Sequence, residues 1–448
     1  MLTTDVHDGP EFMWVLTTFF AITTFILLWL CAGYFVVMRF VGIVRRRSTA
    51  VGSSAFPRLS VIVPCHNEAP IILDKLRNLL ELDYPRFRLE IIFVDGQSSD
   101  DTVALIRKAA NLDRRVRVLD SPDRGKIHQL NHALPHATGE IVVVTDADGI
   151  MPPESLRKLA AEFVADDGVA VVGAYSRPSN TIWRDRCFWD SQNRGRLIES
   201  DAHASSIVIA TCYAFRRELL RQFPDDVVAD DVYIALLAHS RNRRVIYSRA
   251  ALVTETRGPS SISEFLSHKF RKNNAFLRES LRFIYRLPDM NGTSKLMLLT
   301  RTAQQLLLPY CAAVWAFLAL TLLTLGRHDL LMMAGATILL SLMIARQAFQ
   351  SVDVPAGTRE RFGLHKYSVV FFETMCVLFA AALSYPFYRQ TSSYARLGKR
   401  RSSDEGLESD TAQRAVLAPN VRAGACLVDR AGLPVIGGSD RARASNAA

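Results

Sequence analysis

The chain has 448 residues, enough for two or three structural units with at least one large buried core, and 49% of them are hydrophobic. Its seven cysteines (Cys31, Cys65, Cys187, Cys212, Cys311, Cys376 and Cys426) form no C-x-x-C pair, which argues against a zinc ribbon or a disulfide framework and for a reducing compartment. The formal charge of +10 is gathered beside apolar runs, as membrane topology predicts, so no nucleic-acid partner is expected.

The first apolar run, Trp14 to Met38, contains no charge and as a helix is about 37 Å long. Asp5, Asp8 and Glu11 precede it where a secretory signal would be basic, and Arg45, Arg46 and Arg47 follow it. Residues 1–47 therefore read as a retained transmembrane helix with its N-terminus outside and the next domain cytoplasmic. A Ser/Gly/Ala-rich linker, Ser48 to Ala55, leads to a soluble domain over 57–260. There, strands are expected at Leu59–Val63, Leu89–Val94, Val116–Leu119 and Glu140–Val144, and helices at Ile71–Leu82, Asp101–Ala110 and Gly125–Leu134. Such alternation predicts an α/β domain, a mostly parallel sheet with helices on both faces, whose ligands bind beyond the carboxyl ends of the strands.

Residues 261–295, rich in Phe, Leu, Lys and Arg, suit interfacial amphipathic helices, and 296–390 hold three apolar runs: Leu306–Leu325, Leu330–Ile344 and Val369–Phe387, the last carrying Glu373. One span before the domain and three after would leave the tail outside. Arg389, Arg396, Lys399, Arg400 and Arg401 place it inside, so one of the later runs is expected to be re-entrant or interfacial. The basic tail, 391–448, has a composition that reads as disordered.

Chemistry gathers at strand ends. The first strand runs into Pro64-Cys-His-Asn-Glu68 and the second into Asp95, where a carboxylate can hold a base or ribose; Asp100 reads as a turn and helix cap. Lys126, beside a glycine at a helix start, can meet phosphates. Asp146 and Asp148, one residue apart after the fourth strand, can present oxygens to Mg²⁺ or Mn²⁺, which would neutralise a departing diphosphate. Asp230 and Asp231 open the helical stretch Val232–Ala238, with Asp230 read as the cap and Asp231 as a general base.

Taken in order over about residues 57–280, these motifs resemble the family-2 glycosyltransferases, in particular the membrane-bound branch of hyaluronan, chitin-oligosaccharide and cellulose synthases. The resemblance implies a GT-A fold and an inverting transfer of a sugar, a hexosyl or N-acetylhexosaminyl group, from a nucleotide-sugar that is usually UDP-linked. It implies that Glu68, Asp95, Lys126, Asp146 and Arg271 bind the donor, Asp146 and Asp148 the metal, and that Asp231 is the base. Lys126 and Asn131 fit the family's Gly-Lys-x-x-x-Leu-Asn segment, and Thr211 and Cys212 fall in its acceptor-side segment. The expected setting is a bacterial-type inner or plasma membrane, with a lipid or oligosaccharide acceptor and a role in polysaccharide or glycolipid synthesis. The synthases also carry Gln-x-x-Arg-Trp, where this chain has His268, Arg271 and Lys272. A lysine offers no aromatic face for a sugar ring, which puts transfer of one or a few sugars on an equal footing with processive polymerisation. The alternative, a catalytically inactive membrane scaffold of a glycan export complex, would need no intact set of carboxylates.

Overall fold

The computed structural model describes residues 10–45, 56–111, 113–360 and 362–388. Arg46, Arg47, the linker to Ala55 and the basic tail lie outside the described residues. The first described element is α1 (Pro10–Leu28), which continues through a π turn at Trp29–Gly33 into α2 (Tyr34–Val44). The first half of the domain follows as β1 (Leu59–Cys65), α3 (Ile72–Leu80), β2 (Leu89–Asp95), α4 (Thr102–Ala110), β3 (Val116–Asp120), α5 (Lys126–Ala133) and β4 (Ile141–Thr145). Every element expected over this stretch is present, most with ends one or two residues from their predicted bounds. The second half comprises β5 (Gly149–Ile150), α6 (Ser155–Ala165), β6 (Val169–Pro178), α7 (Trp183–Asp201), β7 (Cys212–Arg216), α8 (Asp230–Ser240) and β8 (Arg244–Glu255).

These strands make one eight-stranded sheet in the order β3-β2-β1-β4-β7-β6-β8-β5. The pairs among β3, β2, β1 and β4 are parallel, as expected. Beyond β4 the sheet is mixed: β7 runs antiparallel to both β4 and β6, while β6 and β8 are parallel. The nearly continuous apolar strands are explained by burial on both faces. Val61, Val63, Ile91, Phe93 and Val143 pack under α3, α4 and α6, while Ile62, Ile92, Val94, Val142 and Val144 pack under α5 and α8. Each such side chain contributes about 1.5–3 kcal/mol, so the two layers fix the strand ends that carry the polar motifs.

After the sheet come α9 (Ile262–Phe283), α10 (Gly292–Leu306), α11 (Leu308–Thr324), α12 (His328–Gln350) and α13 (Leu364–Ser384). Ser261 caps α9 by accepting from Glu264 N at 3.2 Å, and Asn291 caps α10 by accepting from Ser294 N at 3.0 Å. The 295/296 boundary drawn from composition falls inside α10. That helix meets α11 at a 60° bend, next to Pro309, whose ring removes a backbone donor from the first turn. The second C-terminal run, short in sequence, is a 23-residue helix because polar Arg346, Gln347 and Gln350 extend it. Three helices are long and apolar enough to cross a membrane, Glu11–Val44, α12 and α13, and a fourth span is available if the bent α10–α11 pair counts as one.

A third apolar cluster joins α2 to the domain through Tyr34, Met38, Trp189, Leu197, Phe276 and Met297. At the far end of α1 a separate cluster packs Leu16 and Phe20 against Leu318, Leu322 and Ala334 of α11 and α12.

Candidate active site

The carboxyl ends of β1, β2 and β4 open onto one cavity of about 630 Å³, closed from the other side by α8, the end of β8 and one face of α9. Two side chains organise its mouth. Asn67, at φ 56°, accepts from Ser99 N at 2.7 Å and also from Asp100 N, tying the loop after β1 to the loop after β2. Gln129 donates to Cys65 O at 2.7 Å and Val94 O at 2.8 Å, spanning the ends of the two strands. Gly96 packs closely beside it: a Cβ there would stand 2.7 Å from the Gln129 Nε2 and displace that amide.

Glu68, Lys126, Asp146, Asp148, Asp231 and Arg271 all line this cavity. Asp95 is buried beneath its floor at the end of β2, accepting from Ser98 N at 2.9 Å and from the Ser98 hydroxyl, while the neighbouring Gly96 reaches the surface of the cavity. Asp100 accepts from Thr102 N and Ala69 N, which is the turn role expected of it, while the cap position of α4 is Asp101. Thr211 lines the cavity and Cys212 is buried below it. Asn131 holds Phe223 instead, through its N at 2.8 Å and its O at 2.9 Å.

Lys126 begins α5 after Gly125, whose φ of 118° lets the chain turn into the helix. Its ammonium lies 2.8 Å from Asp146 Oδ1 and 3.1 Å from Asp230 Oδ2. Asp230 is thus not a cap: the cap position is Ala229, and the buried Asp230 carboxylate also accepts from the Tyr213 hydroxyl at 2.7 Å. Asp231, in the same first turn, accepts from Ala210 N at 3.2 Å and Val232 N at 3.0 Å. Burial, with the Asp230 charge beside it, pushes the Asp231 carboxyl up to about 6, against the opposing pull of Lys272 and Lys126.

The loop carrying Asp146 and Asp148 rests on Lys75, a fully buried ammonium that donates to Thr145 Oγ1 at 2.9 Å and Gly149 O at 2.5 Å. Burial lowers Lys75 to about 8, with Asp148 and Asp146 among the charges opposing that fall. Asp148 meets Arg257 at 3.2 Å, and Arg257 reaches Glu68 at 2.9 Å. The Asp148 carboxyl is held above the ordinary range by burial first and by the Asp146 charge second. Two hard oxygen donors crowded until one resists ionising is a conflict that a divalent cation relieves, so this pair fits Mg²⁺ or Mn²⁺. Among the described residues no third His, Cys, Asp or Glu completes a cluster around them.

The family model Glycosyl transferase family 2 matches residues 60–223, the stretch that runs from β1 past β7. Residues 60–223 form a family-2 glycosyltransferase domain. An N-acetylglucosaminyltransferase of Rhizobium leguminosarum bv. viciae is 26% identical over 261 residues, covering 54% of this chain and 61% of that protein. An undecaprenyl-phosphate 4-deoxy-4-formamido-L-arabinose transferase of Enterobacter sp. is 32% identical over 155 residues, 33% of this chain and 44% of that protein. The chain therefore spans about half the length of these two curated relatives. A solved mannosyltransferase from Pyrobaculum calidifontis, in complex with GDP-Man and Mn²⁺, superposes with a TM-score of 0.62 at 26% identity, covering 83% of this chain and 99% of that one. The fold is accordingly GT-A-like, with the mixed half of the sheet completing the parallel half.

The cavity also contains residues beyond those expected at the strand ends. Glu255 and Arg257 close it where β8 ends, and burial together with Asp148 pushes Glu255 up to about 7 despite Lys272. The signal was present: Leu252-Val-Thr-Glu255 is a β-branched run ending in a carboxylate, ahead of Gly258-Pro259. On α9, His268 is buried and kept neutral by burial and by Lys272, Lys269 and Arg271, leaving its Nδ1 without a partner among the described groups. Lys272 places its ammonium 5.5 Å from the centre of the Trp189 ring.

Proposed function

We propose that this protein is a membrane-embedded inverting glycosyltransferase that moves a sugar from a nucleotide-sugar to a lipid or glycan acceptor at the cytoplasmic membrane face. The observation that carries the reading is that one cavity holds both a carboxylate poised near neutral pH, Asp231, and the Lys126–Asp146–Asp148 group suited to a diphosphate. UDP-linked donors are the first choice. The GDP-Man complex of the Pyrobaculum calidifontis neighbour keeps GDP-sugars in the panel, and the names of the two relatives support an N-acetylhexosamine donor or a polyprenyl-phosphate acceptor.

In this reading Asp231 takes the proton of the acceptor hydroxyl while that oxygen bonds the anomeric carbon. The bond from that carbon to the donor's phosphate oxygen breaks on the opposite face, inverting the configuration. Lys126 and Arg271 receive the charge that develops on the leaving diphosphate. A divalent cation on Asp146 and Asp148 would share that neutralisation. Glu68 orients Arg257 toward the same end, and Asp95 braces the turn against which the nucleotide base and ribose lie. Lys272, standing where the synthases have tryptophan, favours transfer of one or a few sugars.

The test is nucleoside diphosphate release by the full chain in nanodiscs, with UDP- and GDP-sugars, Mg²⁺ or Mn²⁺, and lipid-phosphate or oligosaccharide acceptors. Release that stops with EDTA, in Asp148→Ala and in Asp231→Asn is the expected result. Full activity in Asp231→Asn would remove the base from this account.

A further inference from the structure

The final helix, α13, has the length and composition of a span: its 21 residues reach about 31 Å, against a hydrocarbon core of about 30 Å. Its contacts argue against a crossing. At its start, Tyr367 donates to Asp190 Oδ2 of α7 at 2.7 Å, and Lys366 lies 5.4 Å from the Trp183 ring at the head of that helix. At its end, Tyr388 stacks edge-on to Phe270 of α9, with ring centroids 5.4 Å apart. Both α7 and α9 belong to the catalytic side. The buried Lys269 of α9 pairs with Asp185 of α7 at 2.7 Å, and Glu279 of α9 accepts from Val228 N just before α8. The two ends of α13 therefore touch the same layer of the protein.

The middle gives an independent argument. Glu373 is the tenth residue of α13 and pairs with Arg184 of α7 at 2.7 Å. If α13 crossed, Glu373 would lie near the bilayer centre, taking with it Arg184 and the adjoining Asp185–Lys269 pair that supports α9. Charged groups at that depth cost several kcal/mol each. The α1–α2 helix behaves differently. Its first turns pack with Leu318 and Leu322 at one end, while Tyr34 donates to Glu199 and Arg39 pairs with Asp201 at the other. Helix α12 likewise runs from the cluster at Ala334 to Phe349, whose carbonyl accepts from Arg194.

We infer that α13 lies in the plane of the membrane surface on the domain's side, with lipid acyl chains of that leaflet as its partner. Val370, Val377, Leu378, Ala381 and Ala382 form its protein-facing stripe, and Phe371, Phe372, Phe379, Leu383 and Phe387 form an exposed apolar face, with Phe372 69% and Phe387 87% exposed. An in-plane helix normally turns a polar face to water; here protein covers that side, which is why the sequence is apolar all round. The crossing helices are then α1–α2, α11 and α12, and the chain leaves Tyr388 on the domain's side, in accord with the basic residues that follow. The bilayer is brought against the back of α9, whose other face carries Arg271 and Lys272 into the cavity. The inference rests on the membrane reading above and not on the enzyme chemistry.

The experiment is depth measurement by spin labels in nanodiscs, using full-length Phe372→Cys, Phe379→Cys and Phe387→Cys with Cys31, Cys311, Cys376 and Cys426 replaced by alanine. All three labels are expected at one shallow depth, within about 5 Å of one another, whereas a crossing helix would separate the first from the last by about 20 Å. A graded depth passing through the bilayer centre overturns the in-plane helix and leaves the membrane reading intact. Labels that all remain accessible to water overturn it together with the lipid contact. A protease-sensitive epitope at the C-terminus, probed in sealed vesicles of both orientations, gives the second reading: exposure together with the catalytic domain supports the inference, and exposure on the opposite face refutes it.

Discussion

Replacing Lys126 with methionine isolates the charge balance of the cavity. The Lys126 side chain is 11% exposed, and the Asp230 carboxylate it pairs with is 3% exposed, so the substitution strands an anion with little access to water. Breaking such a buried pair costs about 3–5 kcal/mol, and the surviving Tyr213 hydroxyl bond places this case near 3. The assay is thermal unfolding in nanodiscs at pH 7.5, comparing wild type, Lys126→Met, and Lys126→Met with Asp230→Asn. The single variant should lose roughly 5 °C. The added Asp230→Asn should recover most of the loss, because no buried charge is left. Sugar transfer should fall about 10²–10³-fold in both variants, since neither restores a cation to the diphosphate. No recovery on adding Asp230→Asn would refute the electrostatic account of this pair.

Transfer by the wild type should rise with pH and reach half its plateau near pH 6, where Asp231 becomes ionised. Lys272→Met should move that limb upward, measured as kcat/KM against pH, because Lys272 favours the ionised form. Gly96→Ala should cost about 1–3 kcal/mol and raise the donor KM, as its Cβ displaces Gln129 from the two strand ends it spans. His239 is fully buried between Ser205 O and the Ser294 hydroxyl, and burial lowers it to about 4. A depressed imidazole stabilises the fold above its unfolded value near 6.5, and about 3 kcal/mol should be lost as pH falls from there to 4. His239→Asn should flatten that part of the stability–pH curve.

The parallel half of the sheet was legible because its strands are buried on both faces and its helices on one, and burial leaves a period in the sequence. So was the set Glu68, Lys126, Asp146, Asp148 and Asp231, since the carboxyl ends of parallel strands converge and a polar residue directly after an apolar strand has one place to go. The mixed half was not legible. Strand direction after β4 depends on where α7 and β7 pack, and a short apolar run carries no record of direction. Glu255 and Arg257 join the site only because β8 pairs with β5 and delivers them beside Asp148. Asp230 looked like a cap because sequence places it at a helix start, whereas the folded chain puts a buried lysine against it.

By itself the sequence determined which segments are apolar, where the sheet's polar ends fall, and that one of the later apolar runs conflicts with the basic tail. It could not determine which run. Hydrophobicity reports that a helix avoids water, and lipid and protein satisfy that equally well. Only the tertiary contacts, Tyr367 with Asp190, Glu373 with Arg184 and Tyr388 with Phe270, decide which sides of α13 meet protein.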